Sequence, residues 1–244
     1  MNRPLRHLAA ASVLALSSSA ALAQGSGWST TLDIYLFTPE TRTGIGATES
    51  ELSFSDALEN LDLAFMGTVA VSNGRWSFLG DYMMTDLSFG QPVQGQAVST
   101  LNSELKTELF SGYAGYRVYE DPSVSVDLAA GFRWFRTRTK LTGLDGNGAV
   151  VVGRSVDDSW VDPVIGVRLR FAIAERWGGT VVADYGGVQS DRETWQVLLT
   201  ADYRINDNWT ARFGYRQISV DNVINGTPFS FDQSGPVFGV SYRF

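Results

Sequence analysis

Period two governs this chain. In WVDPVIGVRLRF (160–171), Val161, Pro163, Ile165, Val167, Leu169 and Phe171 share one face, while Asp162, Val164, Gly166, Arg168 and Arg170 share the other. TWQVLLTADYRI (194–205) sets Trp195, Val197, Leu199, Ala201 and Tyr203 against Gln196, Leu198, Thr200, Asp202 and Arg204. VDLAAGFRW (126–134) sets Val126, Leu128, Ala130, Phe132 and Trp134 against Asp127, Ala129, Gly131 and Arg133. Successive side chains alternate across a strand, whereas a helix repeats every 3.6 residues. These segments are therefore half-apolar β-strands.

Tight turns separate the strands. NGRW (73–76), AERW (174–177) and NDNW (206–209) each place a polar turn just before a tryptophan; EDPS (120–123) is a fourth turn, and GSGW (25–28) has the same form. Asn-Gly is by itself a strong hairpin signal. Strands are expected at 28–38, 63–72, 75–88, 100–119, 124–141, 156–172, 177–188, 194–205, 209–221 and 229–244, with longer connections between the short turns. The fold class is all-β. The pattern describes an antiparallel transmembrane β-barrel of about ten strands, with short periplasmic turns and longer extracellular loops. Eight strands is the alternative, because the second strand is short and the residues before it are ambiguous.

The N-terminus reads as an export signal. Arg3 and Arg6 precede an apolar run from Leu8 to Leu16, and Ala21-Leu22-Ala23 has the small-residue pattern of a cleavage site. This divides the chain into a signal peptide, 1–23, and a barrel domain, 24–244. The leader holds two of the 19 basic residues and none of the 26 acidic ones, so the mature chain carries nine more acids than bases. That balance argues against a nucleic-acid partner. No other stretch is long and apolar enough for a spanning helix, so any membrane crossing is by strands.

Charge decides which face meets lipid. An arginine on the lipid side at the bilayer midplane costs about 2–4 kcal/mol, a penalty that a lumen-facing one does not carry. The apolar faces therefore point outward. The lumen is expected to receive a charge network of Asp33, Asp81, Lys106, Glu108, Asp127, Arg133, Asp162, Arg168, Asp184, Asp202, Arg212 and Arg216. Gly112, Gly131, Gly166 and Gly214 are assigned to the same inner phase, leaving room for the arginines. Trp28, Trp76, Trp177 and Trp209 begin strands beside the short turns, with Tyr119, Tyr203 and Phe244 at the same end. Amphipathic rings at one height form an interfacial girdle.

The C-terminal segment VFGVSYRF (237–244) alternates Phe238, Val240, Tyr242 and a final Phe244. It resembles the terminal strand signal of Gram-negative outer-membrane β-barrels. WVDPVIGVRLRF, TWQVLLTADYRIND and FGYRQISVD (213–221) are similar to segments of small proteobacterial outer-membrane barrel proteins, porin-like or OmpA-like but without a periplasmic domain. The resemblance covers most of the chain after Leu61. It implies residence in the cell outer membrane among outer-membrane lipid and lipopolysaccharide, and a C-terminal signal read by the barrel assembly machinery.

The remaining inventory narrows function. The chain has no cysteine and one histidine, His7, which lies in the leader. A mature chain without either residue can run neither a Ser-His nor a Cys-His mechanism and can build no histidine metal site. Known barrel enzymes lean on a histidine, so no enzymatic activity, catalytic residue, metal or cofactor is expected. Asp145-Gly-Asn-Gly148 resembles the start of a calcium loop, but Val150 stands where glycine is needed and Val156 where glutamate is needed. Residues 141–155 are expected to be a flexible outer loop. SFSDALENL (53–61) suits a short capped helix on the rim. Interleaved acids and arginines in the lumen read as mutual neutralisation. The expected role is structural or narrowly porin-like. The alternatives are an adhesion barrel acting through outer loops near 39–61, 89–99 and 141–155, and a soluble periplasmic barrel binding a hydrophobic ligand with every strand in the reverse phase.

Overall fold

The computed structural model describes residues 27–92, 99–189 and 191–244. The leader and residues 93–98 of one expected outer loop lie outside the described residues. The strands are β1 (Ser29–Phe37), β2 (Glu40–Ile45), β3 (Thr48–Leu52), β4 (Leu61–Ser72), β5 (Trp76–Pro92) and β6 (Thr100–Glu120). They continue with β7 (Val124–Leu144), β8 (Val150–Ala172), β9 (Trp177–Gln189), β10 (Arg192–Arg204), β11 (Trp209–Ile224) and β12 (Thr227–Arg243). Among the described residues one helix, α1 (Phe54–Glu59), stands between β3 and β4. Neighbours run β1-β4-β5-β6-β7-β8-β9-β10-β11-β12, and β1 pairs back onto β12 to close the wall. All pairings are antiparallel. The result is the ten-stranded barrel read from the turns. β2 and β3 are additional: β2 continues along β12 past the end of β1, and β3 folds back on it.

Short polar turns form where the sequence places them, and their side chains explain why. The Asn73 carboxamide oxygen accepts from the Arg75 and Trp76 amides at 3.1 and 2.7 Å. Asn206 does the same for Asn208 and Trp209 at 3.0 and 2.8 Å. The Asp121 carboxylate accepts from Ser123 and Val124 at 2.7 and 2.8 Å. These local acceptors satisfy the amides that the strand ladders leave open. Gly74 adopts φ +89°, a conformation natural to the second residue of an Asn-Gly turn.

The outward phase is apolar around the wall. Ile34, Phe65, Val69, Phe78, Leu128, Phe132, Val161, Ile165, Leu199, Phe213, Phe238 and Val240 all face out and are exposed. A continuous apolar exterior of this extent belongs against lipid. This overturns the soluble periplasmic alternative, which needs apolar side chains inside. Aromatic pairs mark the lower border: Trp76 on Tyr116, Trp177 on Tyr203 and Trp209 on Tyr242, with ring centroids 4.8, 4.9 and 4.8 Å apart. The upper border follows the register from Tyr82 through Phe110 to Trp134. On β7 the belt runs from Val126 to Trp134, matching the roughly 9–11 residues a tilted strand needs.

Several strands overshoot that belt. β6 and β7 have 21 residues each and β8 has 23. Above the belt they form a ridge with β5, and residues 141–155 are a hairpin of that ridge rather than a flexible loop. Asp145 caps its turn, accepting from Asn147 and Ala149 at 2.9 and 2.8 Å. The segment 39–52, also expected as loop, is the β2–β3 hairpin. Helix α1 forms with Ser53 as its N-cap and has no buried residue, so it lies on the rim.

The lipid-facing assignment is tested by Ile165, which is 69% exposed near the middle of the belt. Ile165→Arg should cost about 2–4 kcal/mol of folding stability in lipid vesicles. A cost near zero in denaturant titrations would place Ile165 outside the hydrocarbon.

Candidate functional site

The lumen contains three layers. At mid-height lie two buried arginines, each with its own aspartate and tyrosine. Arg133 on β7 is 1% exposed and contacts the fully buried Asp184 carboxylate on β9 at 2.8 Å. It also donates to Thr194 Oγ1, Ser111 Oγ and the Tyr113 hydroxyl at 2.7, 3.2 and 3.1 Å. Tyr113 donates to Asp184 at 2.8 Å. Arg216 on β11 repeats the arrangement with Asp81 on β5 at 2.8 Å and the Tyr35 hydroxyl at 3.0 Å, and Tyr35 donates to Asp81 at 2.7 Å. Gln196 joins the halves. Its Nε2 donates to Tyr113 and Asp184 at 3.0 and 2.5 Å, and its Oε1 accepts from Arg216 at 2.7 Å. Arg133, Asp184, Arg216 and Asp81 each have an opposite partner and neutral hydrogen bonds, the condition under which buried ions are tolerated.

Above this layer the lumen is apolar. Phe37, Met66, Met83, Leu109, Phe135, Trp160, Ile218, Val220, Phe229, Phe231 and Val237 form one buried cluster. β7 and β12 stand five strands apart around a ten-strand wall, so their side chains meet only across the lumen. Phe135 lies 5.1 Å from Phe231 and 6.0 Å from Phe229, and Trp160 lies 5.8 Å from Phe229. The upper mouth is thus filled by aromatic rings from opposite sides.

Below the mid-layer is a second charge cluster around an open chamber. The Asp127 carboxylate receives Arg117 at 2.6 Å, Arg168 at 2.8 Å and Arg170 at 2.9 Å. Arg168 also donates to Ser77 Oγ at 3.0 Å. Arg212 bridges Asp33 and Asp202 at 2.9 and 3.2 Å. The chamber measures about 560 Å³.

Ten of the twelve side chains assigned to a lumen network lie on the inward phase: Asp33, Asp81, Asp127, Arg133, Asp162, Arg168, Asp184, Asp202, Arg212 and Arg216. They divide between the mid-layer and the lower cluster. Asp162 is buried beside Trp160, Arg133 and Arg192. Lys106 and Glu108 are corrected: Thr107, Leu109 and Ser111 are the buried, inward phase of β6, so Lys106 and Glu108 point out. Both lie above the Tyr82–Trp134 border, where no lipid penalty acts, and Leu109 in the apolar plug sets the phase instead. Glu108 there accepts from Tyr82 at 2.8 Å. Gly112 shares the outward phase of β6 and lies beneath the Phe132 ring. Gly131 and Gly214 are inward, but each lies where a Cβ would meet a neighbouring carbonyl at 1.9 Å, so they permit close strand approach at sharp curls. Tyr35, Tyr113, Gln196, Arg117 and Arg170 join these clusters without belonging to the expected network. Their inward phase was the available signal.

On the ridge, Arg136 and Arg138 both clamp Asp157, at 2.8 and 2.9 Å, and their hydrogen bonds hold its carboxyl well below the usual range. Lys140 pairs with Glu104 at 3.0 Å. Among the described residues no set of three acidic side chains converges as metal ligands. At the C-terminal end Phe238 and Val240 face lipid, Tyr242 meets Trp209 edge to face, and the Phe244 amide donates to Thr30 at 2.9 Å.

The model of the outer membrane protein beta-barrel domain matches residues 8–244. The chain belongs to that family. It is an outer-membrane β-barrel. No curated protein matched. Among solved structures, the outer membrane protease OmpT from Escherichia coli aligns at 10% identity and TM-score 0.57, covering 89% of this chain and 96% of OmpT. Ail, the attachment invasion locus protein of Yersinia pestis, aligns at 12% identity and TM-score 0.37 over 90% of this chain and 99% of Ail. The N-terminal β-barrel domain of Pseudomonas aeruginosa OprF aligns at 10% identity and TM-score 0.34 over 88% and 97%. Of the three, the OmpT likeness supports the barrel architecture, and at this identity it speaks only to the fold.

Removing one member of a buried pair leaves the other uncompensated. Arg133→Met should cost about 3–5 kcal/mol in reversible unfolding, and Arg133→Met/Asp184→Leu should recover most of that loss. Additive losses in the double variant would show that the pair does not act as a unit.

Proposed function

We propose that this protein is a closed outer-membrane barrel with a structural, non-enzymatic role, and that it conducts at most small ions. The observation carrying this reading is the aromatic contact across the upper lumen, where Phe135 and Trp160 meet Phe229 and Phe231. The arginine layer beneath it adds a second barrier. Rings that meet across the lumen, over paired buried charges, oppose a continuous water path. In the same reading, the face of Phe238, Val240, Tyr242 and Phe244 serves the assembly machinery before it meets lipid, and lipopolysaccharide surrounds the ridge.

An adhesion role through the ridge is the second reading. Val150, Val151 and Val152 are exposed on β8, and β8 pairs with β9 only from Val164 onward. An apolar segment with one unpaired edge is suited to contact with another surface. Grafting a polar turn in place of residues 148–154 should then abolish surface attachment while the barrel still folds. Unchanged attachment would count against it.

In planar bilayers the purified protein should show no stable porin-sized conductance. Phe135→Ala/Phe231→Ala should increase whatever small conductance is present, and a large steady current from the unaltered protein would overturn the closed reading.

A further inference from the structure

We propose that the lower chamber is a binding site for a small phosphate-bearing anion that enters from the periplasm. This goes beyond the closed-barrel reading, because the chamber lies below both barriers and its binding stands whether or not they leak.

The chamber has one closed end and one open end. Tyr35, Asp81, Tyr113, Asp184, Gln196 and Arg216 form its ceiling, and it reaches the periplasmic strand ends at Ser29, Ser72, Ser125 and Arg243. The ceiling charges are matched one to one. The charges below them are not. Asp127 alone faces three guanidinium groups, those of Arg117, Arg168 and Arg170. Only Arg117 has a further carboxylate, Glu120 at the rim, at 2.8 Å. Arg212 is matched by Asp33 and Asp202. Arg243 also lines the chamber, and no ion pair to it is found among the described residues.

One arginine nitrogen is informative. Arg170 Nε is buried without a hydrogen-bond partner among the described residues, whereas Arg212 Nε rests 3.2 Å from Asp202. An unsatisfied donor on a charged group is costly unless an acceptor fills the place. Guanidinium groups present paired donors that match the oxygens of a phosphate, and low-dielectric walls concentrate the attraction of an unbalanced positive charge. A chamber of about 560 Å³ accommodates a small phosphomonoester with its water. Lipid headgroups lie outside the barrel wall, so the anion is a soluble one.

Calorimetric titration of the folded, detergent-solubilised full chain with inorganic phosphate, at about 0.15 M ionic strength, tests this directly. The unaltered protein should show saturable one-to-one binding. Arg170→Gln leaves Asp127 with Arg117 and Arg168, so the barrel should fold, as its heat-dependent gel mobility would report, while phosphate binding weakens about tenfold, equivalent to one charge-assisted hydrogen bond. Arg243→Gln should weaken binding less, and Lys140→Gln on the external ridge should leave it unchanged. Absence of saturable binding, equal binding in Arg170→Gln, or an equal loss in Lys140→Gln would each overturn the proposal.

Discussion

A strand crossing hydrocarbon can leave no backbone amide or carbonyl unpaired, and this one requirement organises the molecule. The pairing of β1 with β12, from Thr31 opposite Arg243 to Phe37 opposite Val237, meets it by removing both sheet edges at belt height. Closure then forces every strand to show one face to lipid and the other to a narrow lumen. Apolar residues take the first face, and polar residues within the belt are driven into the second. Because a ten-stranded lumen is narrow, those inward side chains touch across it. Arg133 with Asp184 and Arg216 with Asp81 are consequences of that crowding, as is Gln196 between them.

Above the lipid the same wall obeys a different rule. The hydrocarbon penalty ends near Tyr82, Phe110 and Trp134, so outward charges become acceptable: Glu108, Arg136, Arg138 and Asp157 follow at once on the same phase. Inward positions there turn apolar, and the lumen fills with Phe135, Trp160, Phe229 and Phe231. Polarity thus inverts along each long strand, with charged lumen below and charged exterior above. Below the mid-layer the lumen widens into a chamber whose arginines outnumber the carboxylates that face them.

This inversion also explains what could be read from the sequence. The ten wall strands, four short turns, the outward face of 126–134, 160–171 and 194–205, and the Ser53-capped helix were all legible, because alternation and Asx-type turns are local signals. Lys106 and Glu108 point outward against the sequence expectation because the lipid penalty that orients charges ends below their height. The β2–β3 hairpin is illegible in the sequence because TRTGIGATES (41–50) lacks apolar alternation, and pairing with β12 stabilises it instead. Tyr35, Tyr113 and Gln196 gave no charge signal. Their part in the mid-layer depends on which strands face each other across the lumen, information that no single strand contains.

The central claim is a lumen shut toward the exterior and open toward the periplasm. Because the chain has no cysteine, one introduced thiol reports its own surroundings. Ala129 lines the lower chamber, and Val152 is exposed on the ridge. A membrane-impermeant maleimide added to intact cells should label Val152→Cys quickly and spare Ala129→Cys, which should react only once the periplasm is opened. Labelling of Ala129→Cys from outside, at the rate of Val152→Cys, would contradict the account.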